Sequence, residues 1–209
     1  MRACVLGAES LDLDEPAKGT PEGHLLAEME ELWVEAGAIW DRCEDWREFR
    51  GFVAADYSQV FRALLSLRHR ALSFLEFGSG LGVIAIMASR LGFRAYGIES
   101  ESRLVTMSCQ LAEKYASDAQ FATGNFIPDD YEWSPKHIDG DFRTALDDAS
   151  GYDELDMELR DFDLVYAYPW PDEYPLYQDI LRQCGGKNSL LLTYDVREGM
   201  LLDRIFRGR

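Results

Sequence analysis

The stretch LEFGSGLGVIAIMA, Leu75 to Ala88, constrains the fold more than any other part of the chain. The apolar run LSFLEF has the length and composition of a buried strand, and VIAIMASRLG those of a helix. Gly78, Gly80 and Gly82 stand between them, in a turn that needs unusual backbone angles and lets a ligand approach the main chain. About twenty residues further on, the next strand-like run ends in GIES, which places Glu99 where a carboxylate can hold both hydroxyls of a ribose. A glycine turn between strand and helix fits a parallel sheet with its ligand at the carboxyl ends of the strands.

The alternation continues along the chain. SRLVTMSCQLAEKYA reads as a helix, AQFATG as a strand, DFDLVYAY as a fourth strand, PLYQDILRQC as a helix and NSLLLTYD as a fifth strand. A closing helix is expected from about Arg197 to Phe206. The expected fold class is therefore α/β, a doubly wound, mostly parallel sheet of about five strands. Before it, Leu25, Met29, Leu32, Trp33, Ala36 and Trp40 recur at helical spacing, and Tyr57, Val60, Phe61, Leu64, Leu65 and Leu67 repeat the pattern between about Ala54 and Ala71. The expected organisation is a mobile arm over 1–21, a helical preface over 22–71, and an α/β domain over 72–209. Between Ile127 and Asp163 thirteen acidic residues face only Lys136, Arg143 and Arg160, so about 127–160 reads as a solvated acidic insertion or lid.

With 21 Lys and Arg against 38 Asp and Glu, the formal charge is −17, which repels a phosphate backbone and disfavours nucleic acid as a partner. No apolar run approaches membrane-spanning length, and MRACVL is too short for a signal-peptide core, so a soluble cytoplasmic protein is expected. Cys4, Cys43, Cys109 and Cys184 are scattered with no CxxC pair and no nearby histidine, which argues for reduced thiols and against a metal site.

The turn reads GxGxG with an acid two residues before its first glycine, whereas the dinucleotide fingerprint is GxGxxG. A carboxylate at that point repels a pyrophosphate and suits a cationic ligand. In Glu76, Gly78, Gly80 and Gly82 the chain resembles the class I S-adenosylmethionine-dependent methyltransferases, whose first motif is commonly E/D-x-G-x-G-x-G; the resemblance runs from about Ser73 to Tyr194. It implies S-adenosylmethionine as cofactor. Glu76 would lie near the methionine ammonium, the backbone of Gly78, Ser79, Gly80 and Gly82 along the methionine and ribose, and Glu99 at the ribose hydroxyls. Ser100 would adjoin the adenine, with Asn125 in place of the family's frequent acid and Phe126 flanking the ring. An Asn side-chain oxygen can accept from the adenine amino group as a carboxylate would.

The same resemblance places the end of the fourth strand beside the sulfonium, making Tyr166 a cofactor neighbour and Tyr168, Trp170 and Asp172 candidates for the reaction pocket. Methyltransferases acting on amino groups of adenine or glutamine carry a D/N/S-P-P-Y/F/W loop here. This chain has YPWP, with Tyr168 at the polar position, which argues against base methylation. Two readings of AYPWPDEYP stand together: a pocket wall, or a rigid turn with Pro175 in the first turn of the next helix. Asp172 and Glu173 could supply a base, or simply favour a helix dipole. Asp56 and Tyr57 could reach the site, or act as helix cap and core.

The family's sixth and seventh strands have no counterpart in this reading. A five-strand sheet would leave an edge for the preface, the acidic insertion or a second copy of the chain to cover, the last giving a homodimer. The expected function is methyl transfer to a small molecule or a protein side chain. The alternative is a non-catalytic binding or scaffold protein that keeps the fold.

Overall fold

The computed structural model describes residues 9–11, 13–43, 45–46, 53–133, 149–170 and 172–205. In chain order its elements are β1 (Glu9–Ser10), α1 (Pro21–Cys43), α2 (Tyr57–Leu67), β2 (Ser73–Phe77), α3 (Val83–Arg90), β3 (Arg94–Glu99) and α4 (Ser102–Lys114). There follow β4 (Gln120–Thr123), α5 (Tyr152–Leu155), a 3₁₀ turn (Leu159–Asp161), β5 (Leu164–Ala167), α6 (Tyr174–Cys184), β6 (Leu190–Asp195) and β7 (Gly199–Arg204).

The sheet has the order β1-β7-β6-β5-β2-β3-β4. Strands β2 to β6 are parallel, β7 runs antiparallel to β6, and β1 antiparallel to β7. The five expected parallel strands are all present, and the order in which they are added to the sheet reverses at the β2/β5 boundary, the switch point at which such sheets bind ligands. Because strand side chains alternate, Phe74, Leu164, Tyr166, Leu190 and Leu192 face one layer while Leu75, Val165 and Leu191 face the other.

The preface packs on the first face. Asp56 caps α2, its Oδ1 accepting from the Gln59 N–H at 3.1 Å, and Val60, Phe61, Ala63, Leu64 and Leu67 are buried. Each large apolar side chain so buried stabilises by roughly 1.5–3 kcal/mol. The pairs Arg68–Glu22, Arg90–Glu28 and Lys114–Glu35 tie α1 to its neighbours but are solvent-exposed in part, so they add little to stability. Apolar burial therefore holds the preface.

Three expectations need correction. The segment read as a closing helix is β7: Asp195 Oδ1 accepts from the N–H groups of Arg197 and Glu198, turning the chain, and Gly199 takes φ +77° to begin the return strand. The sheet thus gains two strands beyond the parallel five, and the edge expected to invite a second copy is covered by β7 and β1. Within the arm expected to be mobile, Glu9–Ser10 pair with Leu202 and Leu201, Leu11 and Leu13 pack on the core, and Thr20 Oγ1 accepts from Gly23 N at the start of α1; residues 1–8 lie outside the described residues. The acidic insertion is no solvated lid at its described ends, since Ile127, Tyr131, Tyr152, Leu155 and Leu159 are buried in the second core layer; 134–148 lie outside the described residues. No helix among the described residues is long and apolar enough to cross a membrane.

Candidate functional site

The parallel register brings the candidate residues together. Glu76 on β2 lies opposite Gly97 on β3 and Tyr166 on β5, and Tyr166 lies opposite Leu192 on β6. By alternation Glu99, two residues past Gly97, shares their face, as do Tyr168 and Tyr194 one step further toward the carboxyl ends. Tyr168 and Tyr194 meet edge to face at 5.3 Å between ring centroids. Acids on β2 and β3 and phenols on β5 and β6 thus form one row, three inter-strand spacings or about 14 Å long.

Between them runs the glycine turn. Gly78, Gly80 and Gly82 all have positive φ, at 65°, 54° and 70°. A Cβ at Gly78 would meet nothing within 4 Å, whereas one at Gly82 would lie 2.5 Å from Phe121 Cζ. Gly78 therefore opens onto free space and Gly82 seats the turn on the sheet. Gly97 makes room for the turn from below, because a Cβ there would come within 2.7 Å of Ser79 Cβ. Ser108 on α4 fixes the turn from the side by donating to Gly80 O at 2.9 Å.

Both acids are buried and both hold main-chain donors. Glu99 Oε2 accepts from Gly80 N at 2.8 Å, and its Oε1 from Glu101 N at 3.0 Å and Ser100 Oγ at 3.2 Å. Glu76 is 4% exposed, and its Oε2 accepts from Ala85 N at 2.9 Å, in the first turn of α3. Burial pushes the Glu76 carboxyl well above the ordinary carboxylate range; the Ala85 bond opposes this and the Glu99 charge adds to it. An ammonium beside Glu76 would reverse that penalty. Tyr166 is 2% exposed, and its hydroxyl has no partner among the described residues; Ser79 Oγ is buried and unpartnered in the same way. Orphaned buried hydroxyls are uncommon in folded chains and call for a partner, an ordered water or a ligand.

No family model matches the chain, and no curated protein does. Solved structures match it across most of its length. An RNA methyltransferase from Salinibacter ruber, crystallised in complex with S-adenosyl-L-homocysteine, is 16% identical over 76% of this chain and 96% of its own, with a TM-score of 0.51. A methyltransferase from Geobacter sulfurreducens is 14% identical over 93% of each chain, with a TM-score of 0.50. The chain has the methyltransferase fold.

Within this methyltransferase fold the remaining candidates separate. Asn125 follows β4, and its Oδ1 accepts from Ile127 N at 2.8 Å. Phe126 stacks on Phe77 at 4.4 Å, tilts against Tyr177 and belongs to the second core layer. Tyr168 and Trp170 are half-buried at the end of β5. Asp172 is exposed at φ 76°, and α6 begins beyond it with Glu173 as its N-cap and Pro175 in the first turn, as the turn reading of AYPWPDEYP expects. Asp56 is a helix cap, and Tyr57 is half-buried against Trp33, near enough to Glu76 for its phenol to feel that charge. The sequence reading missed Tyr194. Its place two residues after Leu192, at the end of a parallel strand, was the available signal.

Proposed function

We propose that the chain binds S-adenosylmethionine at the glycine turn and transfers its methyl group to a small molecule or a protein side chain. The observation that carries this is the row Glu99, Glu76, Tyr166 on one sheet face at the switch point, with the turn opening at Gly78 beside it. The bound cofactor supplies a methyl group on a cationic sulfur, open to in-line displacement. Glu99 would hold the ribose hydroxyls with the lone pairs its main-chain partners leave free, and the Gly80 bond keeps the carboxylate oriented for this. Glu76 Oε1, which has no hydrogen bond among the described residues, would take the methionine ammonium. The hydroxyls of Ser79 and Tyr166 would find partners in the same ligand. Ser100 and Asn125 would border the adenine, and Tyr168 and Trp170 would wall the place of transfer. Alignment by these groups, rather than acid–base chemistry, would supply most of the acceleration. The charge of −17 supports an acceptor other than nucleic acid, and Cys43 and Cys184, buried and in no disulfide, accord with the cytoplasm.

The test is labelled methyl transfer into fractionated lysate, with and without protease treatment. Label in protein or metabolite fractions supports the reading; label in nucleic acid alone would refute the acceptor class.

One observation favours a non-catalytic binding or scaffold role instead. Glu76 and Glu99 already accept from Ala85 N and Gly80 N, so the turn is internally braced without a ligand. A protein that had lost transfer could keep both acids for that reason. It would show cofactor binding or none, but no labelled product with any fraction.

A further inference from the structure

Beyond the two acids, the row ends in a group of phenols that the cofactor reading uses only in part. Tyr166 and Tyr168 come from the end of β5, Tyr194 from β6, and Tyr57 from the start of α2. The preface is brought there by its own packing: Gln59 sits against the β6–β7 turn, its Oε1 2.9 Å from where a Cβ at Gly199 would be. Tyr57, Tyr168 and Tyr194 are each half-buried against the core, while Tyr166 behind them is fully buried with its hydroxyl unpartnered. The charged groups that bear on Tyr57, Tyr166 and Tyr168 are Glu76 and Asp195, both carboxylates.

We infer that this tyrosine group is the acceptor site and that its acceptor is an organic amine, bound as its ammonium ion against the ring faces; this rests on the methyltransferase reading. Ring faces attract cations, and the attraction grows as the pair is withdrawn from water, as it is in part at the half-buried Tyr57, Tyr168 and Tyr194. The phenols themselves report the local field. Burial first, and then the neighbouring carboxylates, push the Tyr57, Tyr166 and Tyr168 hydroxyls above the ordinary phenol range. Burial penalises a charge of either sign, but the carboxylates Glu76 and Asp195 oppose an oxyanion nucleophile, such as a phenolate or an alkoxide, and favour a cation, whose burial the ring faces offset. Asp195 spends one oxygen on the N–H groups of Arg197 and Glu198, so its charge acts on the group at a distance while it holds the turn.

The reaction balances without a further reactant. The ammonium gives one proton to solvent past the half-buried Tyr168 and Tyr194, and its freed lone pair forms the new nitrogen–carbon bond. The carbon–sulfur bond breaks, its electron pair stays on sulfur as a neutral thioether, and the product leaves as a methylated ammonium.

The test titrates the full chain by calorimetry with choline and with its uncharged isostere 3,3-dimethylbutan-1-ol, each with and without saturating S-adenosylhomocysteine. Choline cannot be methylated, so binding is read apart from activity. The expected result is that choline binds in the presence of S-adenosylhomocysteine at least about tenfold more tightly than the isostere. Tyr168→Leu and Tyr194→Leu, with folding checked by circular dichroism, should bring that ratio toward one, and Tyr168→Phe, which keeps a ring face, should retain it. Equal binding of the two compounds, or no choline binding while S-adenosylhomocysteine binds, overturns the amine assignment and leaves methyl transfer standing. Displacement of choline by S-adenosylhomocysteine also overturns it, because the rings then belong to the donor. If S-adenosylhomocysteine itself fails to bind, the methyltransferase reading falls and takes the acceptor assignment with it.

Discussion

Three glycines around the turn separate backbone strain from steric fit, and alanine at each gives a graded prediction. Gly78→Ala forces a side chain to φ +65° with nothing within 4 Å, so only the left-handed backbone penalty applies, roughly 1–2 kcal/mol. Gly97 has no positive φ, but its Cβ would lie 2.7 Å from Ser79 Cβ and 2.8 Å from Phe121 Cδ1, so overpacking alone applies, about 1–3 kcal/mol. Gly82→Ala incurs both, at φ +70° and 2.5 Å from Phe121 Cζ, for about 2–5 kcal/mol. Denaturant unfolding gives the three losses, and titration with S-adenosylhomocysteine gives the functional cost. Gly78→Ala should be the mildest on stability yet lose tenfold or more in affinity, about 1.4 kcal/mol, because its Cβ enters the space assigned to the ligand. A Gly78→Ala protein that binds normally, or that is as unstable as Gly82→Ala, would refute this placement of turn and ligand.

Other substitutions test the electrostatics. Glu76 has a raised value in the folded chain, so its stabilising contribution is complete below its ordinary value of 4.5 and is lost as pH rises toward the folded value. Glu76→Gln should remove that slope, at most about 1.4 kcal/mol per pH unit, leaving the ligand-free protein more stable at neutral pH but unable to hold the cofactor's ammonium; unfolding curves between pH 5 and 8 with the same slope as wild type would count against it. Asp163 behaves oppositely. Burial draws its carboxyl upward, but bonds from Leu72 N, Ser73 N and Ser73 Oγ prevail and lower it, so its contribution is present above 3.8 and lost as pH falls. Asp163→Ala should cost about 1–2 kcal/mol at pH 7 and progressively less as pH falls below 3.8, read from acid-dependent unfolding.

What the sequence made legible follows from which signals are local. The five parallel strands and the glycine turn are written in runs of apolar residues and in glycine spacing, which depend on neighbours in the chain. The strand β7 was misread because Met200, Leu201 and Leu202 are adjacent, a pattern compatible with helix or strand. The decisive signal was the turn before it, Asp195 to Gly199, where an Asx bond and a positive-φ glycine form a short hairpin loop. The docking of Glu9–Ser10 on β7 depends on that unrecognised strand, so the pairing was missed with it. In the acidic insertion, net charge concealed the apolar positions Tyr131, Tyr152 and Leu155, which are spaced too widely to show a period yet reach the core. The common sheet face of Glu76, Glu99 and Tyr166 was legible, because motif and strand parity place them there. The stacking of Phe126 on Phe77 was not, because its partner lies nearly fifty residues away in the chain.

The most direct measurement is calorimetric titration of the full chain with S-adenosylhomocysteine, beside a folded Glu99→Ala variant. A saturable site of one ligand per chain, lost in Glu99→Ala, is the result this account predicts. No binding by the wild type would contradict its central claim, and binding that survives unchanged in Glu99→Ala would show that the ribose lies elsewhere.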